Sequence, residues 1–190
     1  MIDKKIKKIG LYGGTFDPIH NGHLRVVVEL ISRKIVDEII LIPAGEPLLR
    51  ESAPKADSKT RFEMCKLAIQ DLPAAIAAKV SASDIEIKRT GPSYAIDTVD
   101  AFSNADTDLY WIIGSDAYSK IDNWHRAAEL QEKVSFIVID RPGSIVDGLG
   151  KLDIGALDIS ATQIRNDREV TGTSPSVRKY ITERKLYASK

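Results

Sequence analysis

The sequence predicts an α/β fold, in which a doubly wound parallel sheet is followed by a small helical part near the C-terminal end. Three observations predict it. Short apolar runs alternate with segments of helical spacing, a pair of glycines follows the first apolar run, and 190 residues suit one domain of ordinary size. We therefore expect a single domain over residues 1–190, with its helical part starting near residue 160.

The first βαβ unit is predicted from two apolar runs. Ile6–Tyr12 and Glu38–Ile42 are typical of buried strands, and the segment between them has helical spacing from about Asn21 to Ile35. Strands joined through such a helix pair in parallel, with a right-handed crossover. The apolar side of this helix consists of Leu24, Val27, Val28 and Ile31.

The rest of the chain continues the alternation. Gly45–Ser58 is predicted as a loop, and Asp57 or Ser58 as the cap of a helix whose apolar face is Phe62, Cys65, Ile69 and Leu72. Further strands are predicted at Val80–Ile87, Leu109–Ile113 and Phe136–Ile139, with a weaker one at Lys151–Ile159. Helices are predicted at Tyr94–Phe102, as one or two within Asp116–Val134, and from about Ser160 and Ser174, with a flexible connection at Gly143–Gly150. This order predicts a Rossmann-like sheet.

The composition excludes several classes of function. Lys plus Arg equals Asp plus Glu at 27 each, so we expect no overall basic field that attracts nucleic acid or a membrane. The single cysteine, Cys65, excludes an intrachain disulfide and suits a reducing cytosol. Met1–Lys8 carries four lysines, but the apolar run after it is too short for a signal peptide or a membrane span. We expect a soluble cytoplasmic protein, and a homo-oligomer is compatible with this sequence.

The segment from Gly13 to His23 predicts a binding site for a phosphate group. The adjacent glycines Gly13 and Gly14 follow a strand, where they allow positive φ angles and let a ligand approach the main chain. His20 and His23 lie together at the first turn of the predicted helix, where unpaired N–H groups and the helix dipole favour an anion. Paired histidines also bind zinc, but no cysteine or further histidine lies nearby to complete a ligand set. We therefore expect no protein-bound metal here.

A second candidate phosphate site lies near the C-terminal end, at the predicted start of a helix. Ser160 and Thr162 supply hydroxyls and Arg165 supplies a guanidinium on the first turns, which suits a triphosphate. Ser160 is equally well suited to act as a helix N-cap. The sequence leaves both interpretations open.

Gly13–Leu24, with the sequence GGTFDPIHNGHL, resembles the signature of the nucleotidyltransferase superfamily with the core (H/T)-x-G-H. It closely resembles that of the bacterial nicotinate-nucleotide adenylyltransferases, and the resemblance covers almost the whole chain. Ile159–Arg165 is similar to the family's I-S-x-T-x-I-R motif, with Ala161 as a variation. Further segments that are similar to family motifs are Ser93–Thr98, Ile112–Asp116, Trp124, Arg141–Gly143 and the residues Val177, Tyr180, Ile181, Leu186 and Tyr187.

The resemblance implies an enzyme that transfers AMP from ATP to the 5′-phosphate of nicotinate mononucleotide, giving deamido-NAD and pyrophosphate in NAD biosynthesis. It implies that His20, His23 and Arg165 are catalytic. Mg²⁺ is expected as a cofactor, bound mainly through ATP oxygens and water, because no carboxylate cage is evident. The implied ATP-binding residues are Gly13, Gly14, Thr15, Phe16, His20, His23, Gly114, Asp116, Ser160, Thr162 and Arg165. The implied mononucleotide-binding residues are Ser93, Tyr94, Asp116, Trp124 and Arg50.

Physical chemistry supports the mononucleotide site, although ordinary packing and capping account for the same side chains. A pyridine ring stacks favourably on a large aromatic such as Tyr94 or Trp124, and Asp116 at a strand end can accept hydrogen bonds from ribose hydroxyls. The aromatic side chains can equally be packing residues, and Asp116 a helix cap. Many relatives carry P-P-H-K after the second strand, where this chain has Pro47–Arg50. The candidates to replace that lysine are Arg50, Lys55 and Lys59.

Other functions stay open at this point. Nicotinamide mononucleotide and phosphopantetheine are the rival acceptors. The Ser93, Tyr94 and Trp124 segments favour a pyridine nucleotide but do not separate acid from amide. A non-catalytic nucleotide-binding module is a further alternative, disfavoured by the intact histidines and arginine of the two phosphate motifs. A dehydrogenase is disfavoured because the glycine turn is not G-x-G-x-x-G.

Overall fold

The computed structural model describes residues 6–46, 53–140, 157, 159–166 and 170–187 of the chain. Within this part of the chain, five strands form one sheet in which every neighbouring pair is parallel. Their order across the sheet is β3-β2-β1-β4-β5. The strands are β1 (Lys7–Gly14), β2 (Glu38–Pro43), β3 (Val80–Ala82), β4 (Thr107–Gly114) and β5 (Ser135–Ile139). The predicted α/β fold with a doubly wound parallel sheet is confirmed.

Helices connect the strands and cover both faces of the sheet. The longer ones are α1 (Asn21–Ser32), α2 (Ser58–Gln70), α5 (Ala95–Phe102), α7 (Ala127–Lys133) and α9 (Pro175–Glu183). The shorter ones are α3 (Ala74–Ala77), α4 (Ile85–Lys88), α6 (Ser115–Tyr118), a 3₁₀ turn (Ile121–Asn123) and α8 (Ala161–Asn166). Helices therefore do begin close to the predicted residues 160 and 174.

The first two helices differ in how well their buried faces were predicted. In α1 the buried side chains are Leu24, Val26, Val27, Leu30 and Ile31, which confirms the predicted side apart from the half-buried Val28. Asp57 caps α2, since its carboxylate accepts a hydrogen bond from the N–H of Thr60 at 2.7 Å. The predicted apolar face of α2 was partly wrong, because Phe62 and Ile69 are only half-buried. The helix instead buries Arg61, Met64, Cys65 and Ala68.

The predicted strand Val80–Ile87 was also wrong in its second half. The strand ends at Ala82, and the N–H of Lys88 bonds to the carbonyl of Asp84 at 2.9 Å, which closes one helical turn. Gly45 packs against this turn so closely that a Cβ there would lie 2.3 Å from the carbonyl oxygen of Glu86. The side chain that this turn buries is the charged Glu86, while Ile85 and Ile87 are half-buried, so the apolar alternation did not mark a buried strand face.

Residues 115–134 form three short elements where one or two helices were predicted. Helix α6, the 3₁₀ turn and α7 follow one another, and Arg126 (φ 54°) begins α7 in a left-handed conformation. These breaks place Trp124 and His125 between elements. The predicted connection at Gly143–Gly150 and most of the predicted strand at Lys151–Ile159 lie outside the described residues.

The strand order positions the candidate site. From the central strand β1 the chain builds outward to β2 and β3 on one side, and then to β4 and β5 on the other. Doubly wound sheets bind ligands where this reversal occurs, outside the carboxyl ends of the strands. Here that point lies between Gly14, at the end of β1, and Gly114, at the end of β4.

The last helix is fastened to the end of α2 by a partly buried polar contact. Val177 and Ile181 of α9 belong to the same core cluster as the α1 side chains. The carboxylate of Asp71 accepts hydrogen bonds from the N–H and the hydroxyl of Ser176, at 2.8 and 2.6 Å. Burial raises the pKa of Asp71, but the bonds from serines, including these, outweigh it and the net shift is downward. Among the described residues, no helix combines the length and apolar character needed to cross a membrane.

Candidate active site

A cavity of about 730 Å³ opens at the reversal point of the sheet. Its walls come from the end of β1 and the start of α1, the end of β4 and the start of α6, and the segment around Trp124. The start of α8 closes another side. Residues from both ends of the chain therefore face one space, with a volume in the range of small-molecule sites.

Most of the residues predicted for the site line this cavity. They are Gly13, Gly14, Thr15, Phe16, His20, His23, Ser93, Tyr94, Gly114, Asp116, Trp124, Ser160 and Thr162. Arg165 is not in the cavity wall but contacts it from behind. Arg50 and the Arg141–Gly143 turn lie outside the described residues. Lys55 and Lys59 are exposed and do not line the cavity.

The two histidines form a close pair at the start of α1. Their ring centroids are 3.7 Å apart, and the rings are inclined by 31°. The main-chain N–H of His20 donates to Nδ1 of His23 at 3.2 Å. Since Nδ1 accepts, a neutral His23 carries its proton on Nε2 and has a donor for a ligand. Phe16 supports the ring of His23 edge to face, at 5.0 Å between centroids.

The glycines of the turn are required by packing. The positive φ angles that these glycines allow are not adopted: both belong to β1, and the positive φ of this turn falls on Phe16, at 51°. A Cβ on Gly13 would lie 2.7 Å from the ring of Trp111, and one on Gly14 would lie 3.0 Å from the ring of Phe16. The small residues therefore admit two aromatic rings beside the cavity.

At the second phosphate motif, the structure shows Ser160 acting as a helix cap. Its hydroxyl accepts from the N–H of Gln163 at 3.2 Å and donates to Oε1 of the same residue at 2.8 Å. The N–H of Ser160 also donates to that oxygen, at 2.8 Å, which completes a reciprocal capping box. Ser160 lines the cavity, but its hydroxyl is already engaged.

Arg165 joins the two motifs. It is the fifth residue of the six-residue helix α8, so it lies within the predicted first turns, which here include the last turn. Its Nη1 donates to the carbonyl of Asp17 at 2.7 Å, and its Nη2 donates to Oγ1 of Thr162 at 3.0 Å. Thr162 thereby accepts from Arg165 and keeps its own O–H as a donor in the cavity wall.

Aromatic side chains dominate the other part of the cavity. Tyr94 stacks on His125, with centroids 4.2 Å apart and rings inclined by 27°. Trp124 packs edge to face on Trp111 at 6.3 Å, and its buried Nε1 has no hydrogen-bond partner among the described residues. Asp116 is exposed to the cavity on the first turn of α6. The N-cap position of α6 is occupied by Gly114, so Asp116 is not that helix's N-cap.

Comparison with known proteins identifies the family. A family model described as cytidylyltransferase-like matches residues 11–167. The chain is 37% identical over 194 residues to the probable nicotinate-nucleotide adenylyltransferase of Bacillus pumilus, a match that spans 97% of this chain and 100% of that protein. It is 36% identical, with the same coverage, to the nicotinate-nucleotide adenylyltransferase of Bacillus subtilis. The chain belongs to this family of nucleotidyltransferases.

Solved structures share the fold of this member of the nicotinate-nucleotide adenylyltransferase family. A Plasmodium falciparum nicotinic acid mononucleotide adenylyltransferase complexed with NaAD superposes with a TM-score of 0.78, at 22% identity over 95% of this chain and 97% of that one. A putative Vibrio parahaemolyticus nicotinate-nucleotide adenylyltransferase superposes with a TM-score of 0.68, at 21% identity over 97% of each chain. These likenesses confirm the Rossmann-like sheet.

Sequence reasoning missed the buried guanidinium of Arg61, which is 1% exposed. It donates to the carbonyls of Thr15 and Ala44, both at 2.7 Å, and to those of Ala56 at 3.2 Å and Gly45 at 3.3 Å. Burial lowers its pKa, although the nearby Asp17 carboxylate opposes the shift. One side chain therefore joins the loops after β1 and β2 to the start of α2. The feature of the sequence that could have indicated its burial is its helical spacing from Met64, Cys65 and Ala68.

Sequence reasoning also missed Glu86 in the aromatic part of the cavity, and it did not indicate the hydrogen bonds that Ser93 makes there. Glu86 lines the cavity and is 5% exposed, and burial raises its pKa despite hydrogen bonds from Thr98 and Ser93 that lower it. The hydroxyl of Ser93 accepts from the N–H groups of Gly45 and Glu46, at 2.9 and 3.2 Å. Ser93 thus fastens the loop after β2 to the cavity wall, which its motif alone did not indicate.

Proposed function

We propose that this chain transfers the adenylyl group of ATP to the 5′-phosphate of nicotinate mononucleotide, giving deamido-NAD and pyrophosphate. The observation that carries the proposal is that one cavity is lined both by the histidine pair with Thr162 and by Tyr94 with Trp124. Such a wall offers donors for phosphates and aromatic faces for a pyridine ring. The names of relatives that match this chain over nearly its full length support the same acceptor.

In this reaction an oxygen of the mononucleotide phosphate attacks the α-phosphorus of ATP, and the bond to the α,β-bridging oxygen breaks. The nucleophile is already anionic, so positioning and charge neutralisation carry the catalysis. His20 and His23 bind ATP phosphates at the start of α1. The Nε2–H of His23 donates to an oxygen of the α-phosphoryl group as its charge develops.

Pyrophosphate departs on the side of α8. Thr162 directs its hydroxyl to the leaving group, and Arg165 supplies positive charge from behind it, held by its bonds to Thr162 and Asp17. Ser160 acts mainly as the N-cap that orders this short helix. We assign these different roles because the hydroxyl of Ser160 is already engaged within the protein, whereas Thr162 keeps its O–H as a donor.

Mg²⁺ fits this site as a group that enters with ATP. Among the described residues, no cluster of three or more His, Cys, Asp or Glu side chains is arranged to hold a metal ion. Among the described residues that line the cavity, Asp17 is 2% exposed, whereas Asp116 is exposed. ATP oxygens and water would hold most of the coordination sphere, and Asp116 is a candidate for a protein ligand. When bound, Mg²⁺ neutralises phosphate charge.

The acceptor occupies the aromatic part of the cavity. Tyr94 or Trp124 stacks on the pyridine ring, and Asp116 accepts from ribose hydroxyls. The Nε1–H of Trp124, buried without a partner in the described part of the chain, is a donor for a polar group of the ligand. A cytoplasmic location and the oligomeric state stay predictions.

A pyrophosphate-release assay with ATP and Mg²⁺ tests this function. The purified protein is supplied with nicotinate mononucleotide, nicotinamide mononucleotide or phosphopantetheine at equal concentration, and kcat/KM is compared. We expect the highest value with nicotinate mononucleotide. Preference for either other acceptor would overturn the substrate assignment, and no release with any of the three would point to a non-catalytic nucleotide-binding module.

A further inference from the structure

The carboxylate of Asp17 lies where three distant segments meet. Its Oδ2 accepts a hydrogen bond from the N–H of Lys55 at 2.8 Å. Its Oδ1 accepts from the N–H of Ala56 at 3.1 Å and from the hydroxyl of Tyr187 at 2.7 Å. Asp17 is only 2% exposed, so protein donors take the place of water around this buried carboxylate.

The same residue holds Arg165. Nη1 of the guanidinium donates to the main-chain carbonyl of Asp17 at 2.7 Å and lies 3.9 Å from its Oδ2. The other terminal nitrogen, Nη2, reaches Thr162 in the cavity wall. Because the guanidinium is planar and rigid, a displacement of Asp17, which contacts Nη1 through both its carbonyl and its carboxylate, also displaces the Nη2 that donates to Thr162.

Tyr187 reaches Asp17 by a strained course of the chain. After α9 ends at Glu183, Lys185 and Tyr187 take left-handed φ angles of 53° and 64°. Residues other than glycine adopt this conformation at an energetic cost, so a compensating interaction is expected. Burial and the bond to Asp17 both raise the pKa of Tyr187, so the phenol keeps its proton and acts as a donor.

We propose that Tyr187 is a positioning residue for ATP: its hydroxyl fixes the Asp17 carboxylate, and Asp17 in turn holds Arg165 and Thr162 against the phosphates. This inference rests on the proposed function, because it assumes that the α8 side of the cavity binds ATP phosphates. It adds a residue that does not line the cavity and acts through two others. The chain end beyond α9 thereby becomes part of the ATP site.

Tyr187→Phe tests the proposal, because it removes one hydroxyl and keeps the ring. Losing a hydrogen bond to a charged group should raise the KM for ATP about 5- to 10-fold, while the KM for nicotinate mononucleotide stays unchanged. Tyr180→Phe is the matched control, since Tyr180 lies on α9 and packs against Arg184. The Cζ atom of Arg184 is 4.6 Å from the ring centroid of Tyr180. We expect Tyr180→Phe to change neither constant.

A double-mutant cycle sharpens the test. Asp17→Ala removes the acceptor of the Tyr187 hydroxyl and should raise the KM for ATP, so adding Tyr187→Phe to it should have little further effect. Independent, additive effects would overturn the coupling. If Asp17→Ala does not fold, Tyr187→Phe alone decides. An unchanged KM for ATP, or equal changes in both KM values with a lower melting temperature, assigns Tyr187 a structural role only.

A binding measurement separates this proposal from the proposed function. Calorimetric titration with a non-hydrolysable ATP analogue needs no turnover, and Tyr187→Phe should bind it about 5- to 10-fold more weakly than wild type and Tyr180→Phe do. If wild type binds the analogue but releases no pyrophosphate, the proposed function fails. The positioning role is then still decided by the ratio of the dissociation constants of Tyr187→Phe and wild type for the analogue. If wild type does not bind the analogue, both fail.

Discussion

The two candidate phosphate-binding regions of this protein are built in opposite ways. His20 and His23 are three residues apart, and their ring centroids lie 3.7 Å apart at the start of a 12-residue helix. Arg165 lies on a six-residue helix and is held by the carbonyl of Asp17, 148 residues away in the sequence. Helix periodicity arranges the histidines, whereas contact between the two ends of the fold arranges the arginine.

This difference predicts how each region responds to substitution. A locally arranged pair should lose chemistry while the fold persists, because few distant contacts depend on it. A group held by tertiary contacts should lose substrate affinity whenever one of its supports is removed. The substitutions below separate these two kinds of effect.

The largest effect is expected at His23. His23→Asn keeps an acceptor near the N–H of His20 but removes the Nε2 donor, and His23→Ala removes both. If the donor stabilises the transition state, kcat should fall about 100- to 1,000-fold in each variant. Initial rates at saturating ATP and mononucleotide measure this fall, and circular dichroism should show an unchanged fold. Nearly full turnover in His23→Asn would rule out the donor role.

Substitution of Arg61 tests whether the turn that precedes the histidine pair also depends on tertiary contacts. Arg61→Met leaves buried carbonyls, including that of Thr15, without their donor. We expect the free energy of unfolding to fall by about 2–4 kcal/mol in urea denaturation. Arg33→Met is the control: Arg33 is exposed and pairs with Glu29, so its loss should cost less than about 1 kcal/mol. Equal small losses would show that the turn does not depend on Arg61.

Arg165→Lys tests the arginine's two-point attachment. A lysine ammonium cannot hold the Asp17 carbonyl and Thr162 in the same fixed geometry, so the KM for ATP should rise about tenfold. Arg184→Lys, on the exposed side of Tyr180, should leave that constant unchanged. An unaltered KM for ATP in Arg165→Lys would mean that charge alone suffices there.

Ser160→Ala should have the smallest effect on catalysis. Loss of the cap should lower stability by about 1 kcal/mol and leave kcat/KM for ATP nearly unchanged. Asp57→Ala, which removes the side-chain cap of α2, provides a comparison for the loss of stability. A fall of about tenfold or more in kcat/KM for Ser160→Ala alone would assign its hydroxyl directly to the phosphates.

Sequence patterns predicted the strands and longer helices where burial followed a single period. They failed at Val80–Ile87, where the apolar alternation belongs to a helical turn packed against Gly45, a contact made across the fold. They failed on the buried face of α2 because one of its side chains, Arg61, is charged and is satisfied by distant carbonyls. Arg61 and Glu86 were missed as site residues for the same reason: each is stabilised in the interior only by its partners.

The sequence by itself determined the alternation of strands and helices along the chain and the glycine turn with its histidine pair, which depend on spacing along the chain. The resemblance to family motifs implied most of the other residues that line the cavity. Only the tertiary structure decided that the glycines serve ring packing, that Ser160 is engaged as a cap, and that Tyr187, Asp17 and Arg165 form one connected group. Burial makes the difference, because a buried charge takes its function from partners that only the fold brings within reach.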